Sequence, residues 1–132
     1  MFCKIVRGEL PAQVVLDDGR CLGILDRTPL FPGHVLVMPR DHVETMMEIG
    51  DAEVGPLFEA ARRVARAVEA ALGADGIFVA VNNRVSQSVP HLHVHVVPRR
   101  KKDGLRGFFW PRVAYRDDAE MAEVAARIRE RL

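Results

Sequence analysis

The sequence reads His91-Leu92-His93-Val94-His95-Val96-Val97-Pro98, which places three of the five histidines at every second position. This alternation has the period of a β-strand, whose successive side chains point to opposite faces of a sheet. It predicts a strand over residues 91–97 with its imidazoles on one face, about 6 to 7 Å apart. The aliphatic side chains between them would enter a core on the other face.

Three imidazoles in register are unlike ordinary structural histidines. Partly buried imidazoles need hydrogen-bond partners, because their protonation would place like charges side by side. An imidazole can be a nucleophile, a proton carrier or a metal ligand near neutral pH. Covalent catalysis by a histidine and a metal site therefore both remain open. The metal site is less favoured, since imidazoles at this spacing cannot all reach one ion about 2 Å from each.

Length and composition indicate one globular domain over residues 1–132, since 48% of the 132 residues are hydrophobic and 28% are charged. A formal net charge of +1 provides no overall field for nucleic acid or membranes. Charges begin too early for a secretory signal, and no apolar run reaches transmembrane length, so we expect a cytoplasmic protein. Cys3 and Cys21 lack a C-x-x-C partner, which argues against a disulfide framework or a thiolate zinc site. They are interpreted as small buried hydrophobic residues.

The remaining sequence predicts an α+β domain. Four further strands are expected at residues 13–16, 21–25, 34–38 and 76–81, and Asp18-Gly19 supplies the positive φ angles of a tight hairpin turn. Apolar spacings of three and four predict a long helix over residues 51–72, and Asp117 with Glu120 forms a capping pair before a C-terminal helix with an apolar stripe. This order favours a five-stranded antiparallel sheet with helices on one face. Its unpaired edge strands favour dimerisation.

Residues 91–97 match the motif His-φ-His-φ-His-φ-φ, with φ hydrophobic, and the chain thereby resembles the histidine triad (HIT) superfamily. Similar segments are residues 2–11, Leu25-Asp26 with residues 32–37, and Asn82-Asn83. The resemblance covers roughly residues 2–99, a motif-bearing core that precedes a basic and aromatic segment and a helix within residues 100–132. It implies a HIT-like fold that pairs into a homodimer with one continuous sheet.

The resemblance also implies a reaction. HIT family members cleave a nucleoside monophosphate from a leaving group through a nucleotidyl-histidine intermediate, and no cofactor is required. By position in the motif, His93 corresponds to the nucleophile and His95 to a contact of the α-phosphate. His91 and His34 correspond to a supporting pair.

The other implied positions surround a purine nucleotide. Asp26 corresponds to the residue that binds the ribose hydroxyls, and Gln87 with Ser88 corresponds to the polar pair beside the leaving group. Asn82 is expected to bind phosphate, although the asparagine pair could equally turn the chain. The apolar positions around the base are Phe2, Ile5, Leu10 and Ile24.

The expected substrate is an adenosine-containing phosphoanhydride, such as a dinucleoside polyphosphate, or a phosphoramidate. The alternatives are a nucleotide-binding module without turnover and, less favoured, a metal-dependent hydrolase. In residues 99–112, four basic residues precede three aromatic ones and could hold a polyphosphate, or could simply end a strand. Nucleic acid is an unlikely partner, because these charges are local. Residues 83–87 lack the glycine common in relatives, so phosphate contacts could come from Arg84 instead.

Overall fold

A five-stranded antiparallel sheet forms the centre of the protein, in the order β1-β2-β3-β5-β4. The structure is a computed structural model that describes residues 1–105 and 112–132. Its strands are β1 (Val14–Asp17), β2 (Cys21–Leu25), β3 (Val35–Pro39), β4 (Gly76–Ala80) and β5 (Val94–Arg99). Its helices are α1 (Phe2–Val6), α2 (Asp51–Leu72) and α3 (Asp118–Arg129). The predicted α+β class and antiparallel sheet are confirmed.

The β1–β2 hairpin turns at residues 18–20. Gly19 has a φ of 86°, whereas Asp18 does not adopt a positive φ as predicted. The Asp18 carboxylate instead accepts hydrogen bonds from the backbone N–H groups of Arg20, at 2.9 Å, and Cys21, at 2.7 Å. The aspartate therefore stabilises the turn through its side chain rather than through its backbone.

Helix α2 has the predicted bounds, and it tolerates an internal proline. Pro56 has no N–H, so the carbonyl of Ala52 lacks its donor within the helix. The Arg20 guanidinium at the hairpin turn donates to that carbonyl at 3.3 Å. A carbonyl released by proline thus becomes a contact between the helix and the hairpin.

The carboxyl end of α2 is closed by glycine and arginine. Gly73 caps the helix in the left-handed region with a φ of 60°. Arg100 donates to the carbonyls of Leu72, at 2.5 Å, and Gly73, at 2.6 Å. Gly33 is also required here, because its φ is 101° and an added Cβ would lie 2.3 Å from Leu72 Cδ1.

Helices cover both faces of the sheet, so the prediction of helices on one face was wrong. Helix α2 packs on one face, where the buried core comprises Cys21, Val35, Val37, Leu57, Ala60, Ala61, Val64, Val68, Leu92, Val94 and Val96. Helix α1, which the sequence did not predict, brings Phe2 onto the other face. It packs there with Leu22, Ile24, Leu36 and Met38.

Strand β5 begins at Val94 rather than at residue 91. The backbone before it pairs outside the sheet, since Leu92 N–H donates to Val43 O at 2.7 Å and His91 N–H to Val89 O at 2.8 Å. His91 and His93 therefore precede the strand. Their rings still gather on the α1 side, as the Phe2 ring lies 6.0 Å from that of His91 and 5.0 Å from that of His93.

Helix α3 is capped as predicted but does not pack as predicted. The Asp117 carboxylate accepts from Glu120 N–H at 2.8 Å. No residue of α3 is buried, and its apolar positions Met121 and Ile128 are 55% and 57% exposed. Among the described parts of the chain, no helix has both the length and the apolarity of a membrane span.

The basic segment, residues 99–102, begins at the last residue of β5, and two of its side chains are engaged in structural contacts. Arg99 pairs with Asp103 at 2.7 Å, which holds the pKa of that carboxyl well below its usual range. Arg100 binds the end of α2, as described above. The aromatic residues expected to stack on a base lie at positions 108–110, outside the described residues.

Candidate active site

A cavity of about 230 Å³ lies on the sheet face that α1 covers. Seven predicted site residues line it, namely Phe2, Ile5, Ile24, Asp26, Ser88, His93 and His95. A larger groove of about 510 Å³ lies between the sheet and α2, but the titratable group in its wall is Arg63 alone. The smaller cavity is therefore the candidate site.

His93 is held in one tautomer. Its Nδ1 lies 2.7 Å from the carbonyl oxygen of His91, and a carbonyl can only accept, so Nδ1 carries the proton. The ring's Nε2 then keeps its lone pair. The His93 side chain lines the cavity although the residue is only 4% exposed. A neutral imidazole with a free lone pair is chemically able to act as a nucleophile.

A hydrogen-bond relay fixes the tautomer of His95. Leu30 N–H donates to His34 Nδ1 at 3.2 Å, which leaves the His34 proton on Nε2. That Nε2 lies 3.0 Å from His95 Nδ1 and donates to it. The proton of a neutral His95 ring is consequently on Nε2. His95 can therefore donate a hydrogen bond to a phosphoryl oxygen in the cavity.

The relay histidines are neutral at physiological pH. Burial, followed by the neighbouring His93 and His34, lowers the pKa of His95 to about 4. Burial also lowers the pKa of His34 and outweighs the opposing effect of Asp26. Asp26 Oδ2 lies 3.7 Å from His34 Nδ1, which is too long for a hydrogen bond. Asp26 thus remains free of the relay and lines the cavity.

His91 supports the His93 ring through its backbone carbonyl. Its Nε2–H donates to the Pro39 carbonyl at 2.8 Å, while its own carbonyl accepts from His93. Burial is the main cause of its lowered pKa, so the ring is neutral at physiological pH. His91 therefore joins the end of β3 to the His93 ring.

Cys3, His42 and His91 form a second cluster beside the site. Cys3 Sγ lies 3.3 Å from His42 Nδ1 and 3.6 Å from His91 Nδ1. These three donor atoms are all within 4.8 Å of one another and are of the types that zinc prefers. An ion held there would connect α1 to His91, whose carbonyl binds the His93 ring. The interpretation as a buried hydrophobic residue suits Cys21, which is 2% exposed, but not Cys3.

The other possible metal-binding group among the described residues consists of Asp26, His34 and His95. Its two imidazoles are already hydrogen-bonded to each other, and His34 Nδ1 accepts from Leu30. An ion would have to displace this relay. The arrangement is consequently better suited to directing a proton than to holding a metal.

Five predicted site residues lie outside the cavity wall, namely His34 and His91, which contact wall residues through the hydrogen bonds described above, and Leu10, Asn82 and Gln87. Leu10 is 39% exposed. Gln87 is used in the loop before the triad, where its Oε1 accepts from Arg84 N–H at 2.8 Å and its Nε2 donates to Glu44 O at 2.6 Å. Of this polar pair, Ser88 alone lines the cavity.

Sequence reasoning missed several wall residues, which are Met1, Leu25, Arg27, Thr28, Leu36 and Val89. Leu36 could have been found from register, because a strand at 34–38 beside the 21–25 strand places it next to Ile24. Arg27 and Thr28 directly follow Asp26, and the turn there has Thr28 N–H donating to Asp26 Oδ1 at 2.9 Å. Arg27 adds a cation to the wall.

Comparisons with known proteins show the family to which this chain belongs. The profile of the HIT domain matches residues 7–102. The chain is 36% identical over 107 residues to the adenylylsulfatase HINT3 of Arabidopsis thaliana, covering 80% of this chain but only 54% of that protein. It is 32% identical over 113 residues to the adenosine 5′-monophosphoramidase hnt1 of Schizosaccharomyces pombe, covering 84% and 82% of the two chains.

The fold comparison gives the same result. A crystal structure of a HIT family member from Bacillus subtilis superimposes with a TM-score of 0.91 at 32% identity, covering 100% of this chain and 96% of that one. Its similarity extends over the sheet and the helices described above. The matched domain, the relatives and the shared fold together place this chain in the HIT family.

Proposed function

We propose that this HIT protein cleaves a purine nucleoside monophosphate from a small leaving group through a nucleotidyl intermediate on His93. HIT relatives include an adenylylsulfatase and an adenosine 5′-monophosphoramidase, which supports nucleotide hydrolase or transferase chemistry in general. The observation that carries the proposal is the hydrogen bond from His93 Nδ1 to the His91 carbonyl. It leaves the other ring nitrogen of a neutral His93 with its lone pair, on a residue that lines a cavity with both apolar and polar walls.

The proposed reaction has two displacements. His93 Nε2 attacks the α-phosphorus, the new N–P bond forms, and the bond to the leaving group breaks with its electron pair going to the leaving atom. The ring becomes positively charged, and the His91 carbonyl 2.7 Å from Nδ1 stabilises that charge. Water then attacks phosphorus, loses a proton to solvent, and returns the electron pair of the N–P bond to Nε2.

Two other groups act on the same phosphoryl centre. The His95 Nε2–H donates to a non-bridging oxygen, where negative charge develops in each displacement. The Ser88 hydroxyl donates a hydrogen bond to the departing atom and passes on a solvent proton to it, so that the serine itself stays neutral. Asp26 binds the ribose hydroxyls, and the apolar wall around Phe2 and Ile24 holds the base. No step requires a metal ion.

The contacts of the basic segment favour a small leaving group. Arg99 is paired with Asp103, and Arg100 binds the end of α2. These two cations are therefore engaged away from any polyphosphate. An amine or sulfate leaving group requires no such charges, whereas the second nucleotide of a dinucleoside polyphosphate would benefit from them.

A substrate panel tests this proposal. Adenosine 5′-phosphoramidate, adenosine 5′-phosphosulfate and a diadenosine polyphosphate are assayed for AMP release by the metal-stripped protein in chelator. We expect kcat/KM for at least one of the two small-leaving-group substrates to exceed that for the dinucleotide by about 10-fold or more, a difference of about 1.4 kcal/mol. A faster dinucleotide would contradict the leaving-group proposal. Activity that chelation abolishes and zinc restores would contradict metal-independent turnover, and no AMP from any substrate would favour a binding module.

We further propose that two copies pair through the edge strand β4. Val79 on this strand is 46% exposed, and it lies on the same face as Ile77, which packs against the α2 core. Among the described strands, β4 pairs on one side only, with β5, and pairing two β4 strands would satisfy the other edge and cover this apolar side chain.

Charge substitution on the two edge strands tests the pairing. Light scattering is expected to give the parent twice the 14.7 kDa chain mass. Val79→Lys should yield monomers, because a charge on the paired edge opposes association. Val14→Lys on the opposite edge strand, at a residue 53% exposed, is the matched control and should remain dimeric. A monomeric parent, or a dimeric Val79→Lys variant, would rule out pairing through β4.

A further inference from the structure

We propose that Asn83 and Gln87 are positioning residues that hold Ser88 at the leaving-group end of the cavity. This inference rests on the proposed function for its effect on turnover. Its structural basis is a set of contacts between residues 83–92 and residues 43–46, which we call the loop clamp. None of these contacts involves the reacting atoms.

The loop clamp has three direct connections in antiparallel order. Asn83 Oδ1 accepts from Met46 N–H at 2.7 Å, and Gln87 Nε2 donates to Glu44 O at 2.6 Å. Leu92 N–H donates to Val43 O at 2.7 Å. Going forward along residues 83–92, each contact therefore reaches an earlier residue of the segment 43–46.

Ser88 lies between the second and third connections. It lines the cavity, whereas Gln87 beside it does not. The chain is held immediately before Ser88 by the Gln87 amide and after it by Leu92. Both contacts end on residues 43–44, so the position of the hydroxyl is set from both sides by the same support.

The supporting segment is itself anchored in the protein. Thr45 is only 1% exposed, and its hydroxyl donates to Glu48 Oε1 at 3.1 Å. It lies between Glu44 and Met46, which bind the two amide side chains. The loop clamp therefore attaches the loop to a segment that is itself anchored by a buried side chain.

The loop requires such a clamp because its backbone is unfavourable. Arg84 has a φ of 72° and Ser86 a φ of 62°, in the left-handed region that side chains other than glycine rarely adopt. Gln87 Oε1 accepts from Arg84 N–H at 2.8 Å, so one amide group holds both the strained residue and the support. Without these contacts the loop would relax toward negative φ and move Ser88.

Amide substitutions with glycine rescue test the loop clamp. Asn83→Ala should lower kcat about 10- to 100-fold, as expected for misplacement of a reacting group. The affinity for AMP, which lacks a leaving group, should change less than about twofold on the same argument. Asn83→Asp keeps the acceptor for Met46 N–H and should stay near the parent. Gln13→Ala, an exposed glutamine outside the loop clamp, is the matched control.

The glycine rescue distinguishes a loss of kcat caused by misplacement of Ser88 from one caused by general disturbance of the fold. Adding Arg84→Gly and Ser86→Gly to Asn83→Ala makes positive φ inexpensive and should recover most of the lost kcat. The proposal is overturned if Asn83→Asp is as slow as Asn83→Ala, if the glycines recover nothing, or if AMP affinity falls in parallel with kcat.

Amide exchange distinguishes failure of this inference from failure of the proposed function. Asn83→Ala should accelerate exchange at the Met46 amide, whether or not the parent turns over any substrate. A parent without turnover would contradict the proposed function, and the positioning role would fall with it. Unchanged exchange at Met46 would contradict the loop clamp itself.

Discussion

Replacing His93 with alanine should lower kcat by about 10⁴-fold or more, the scale of loss when a covalent nucleophile is removed. The cavity, the ribose-binding carboxylate and the His34–His95 relay would remain, so AMP affinity should change little. Rapid acid-free quench and mass spectrometry of the parent should detect a chain heavier by one nucleotidyl group, and His93→Ala should not form this adduct.

Gln13→Ala provides the control, since it changes an exposed side chain that does not line the cavity. It should retain activity within a few-fold of the parent. Equal turnover of the parent and His93→Ala would exclude the covalent mechanism. Tight AMP binding without turnover in either protein would instead support a nucleotide-binding module.

Replacing His95 with alanine should lower kcat by about 10²- to 10³-fold, the usual loss on removing one preorganised donor to a developing oxyanion. His34→Ala should have a smaller effect, because His34 acts by holding the proton of His95 on Nε2. The double variant should lose little more than His95→Ala alone, since His34 has no role once His95 is gone. Additive losses would contradict the relay.

The titration of His95 provides an independent check of the neutral donor. Its ring resonances should remain those of a neutral imidazole down to about pH 5 and shift near the folded pKa of about 4. The unfolded chain has the ordinary value of 6.5, so it binds more protons than the folded chain between these values. The contribution of His95 to stability is therefore complete above pH 6.5 and is lost as pH falls toward 4. A His95 transition near 6.5 would contradict this.

Most of the fold prediction was based on the spacing of apolar residues along the chain. The bounds of α2 were correct because its apolar residues repeat every three or four positions and Gly73 ends the pattern. Helix α1 was missed, since five residues are too few for a periodic pattern and such a short helix depends on packing. The packing in this case is that of Phe2 against the other sheet face.

The site was predictable where neighbours in sequence are also neighbours in space. The histidine row meets this condition, and two of its members, His93 and His95, line one cavity. Asp26, which was expected from the resemblance and not from a local pattern, lines the same cavity. The cluster of Cys3, His42 and His91 does not, because its members are separated by 39 and 49 positions in the chain. Gln87 was expected beside the leaving group, but the Glu44 carbonyl competes for its amide, a contact that no local pattern reveals.

The proline within α2 has a mechanical consequence. Proline in a helix interior usually weakens the helix, yet the carbonyl it releases at Ala52 is bound by Arg20 of the β1–β2 hairpin. Only one carbonyl in the helix interior is released in this way, so sliding the helix by one turn, about 5.4 Å, would leave the guanidinium without that acceptor. Pro56, which interrupts the helix, thereby fixes the position of α2 along its axis relative to the sheet.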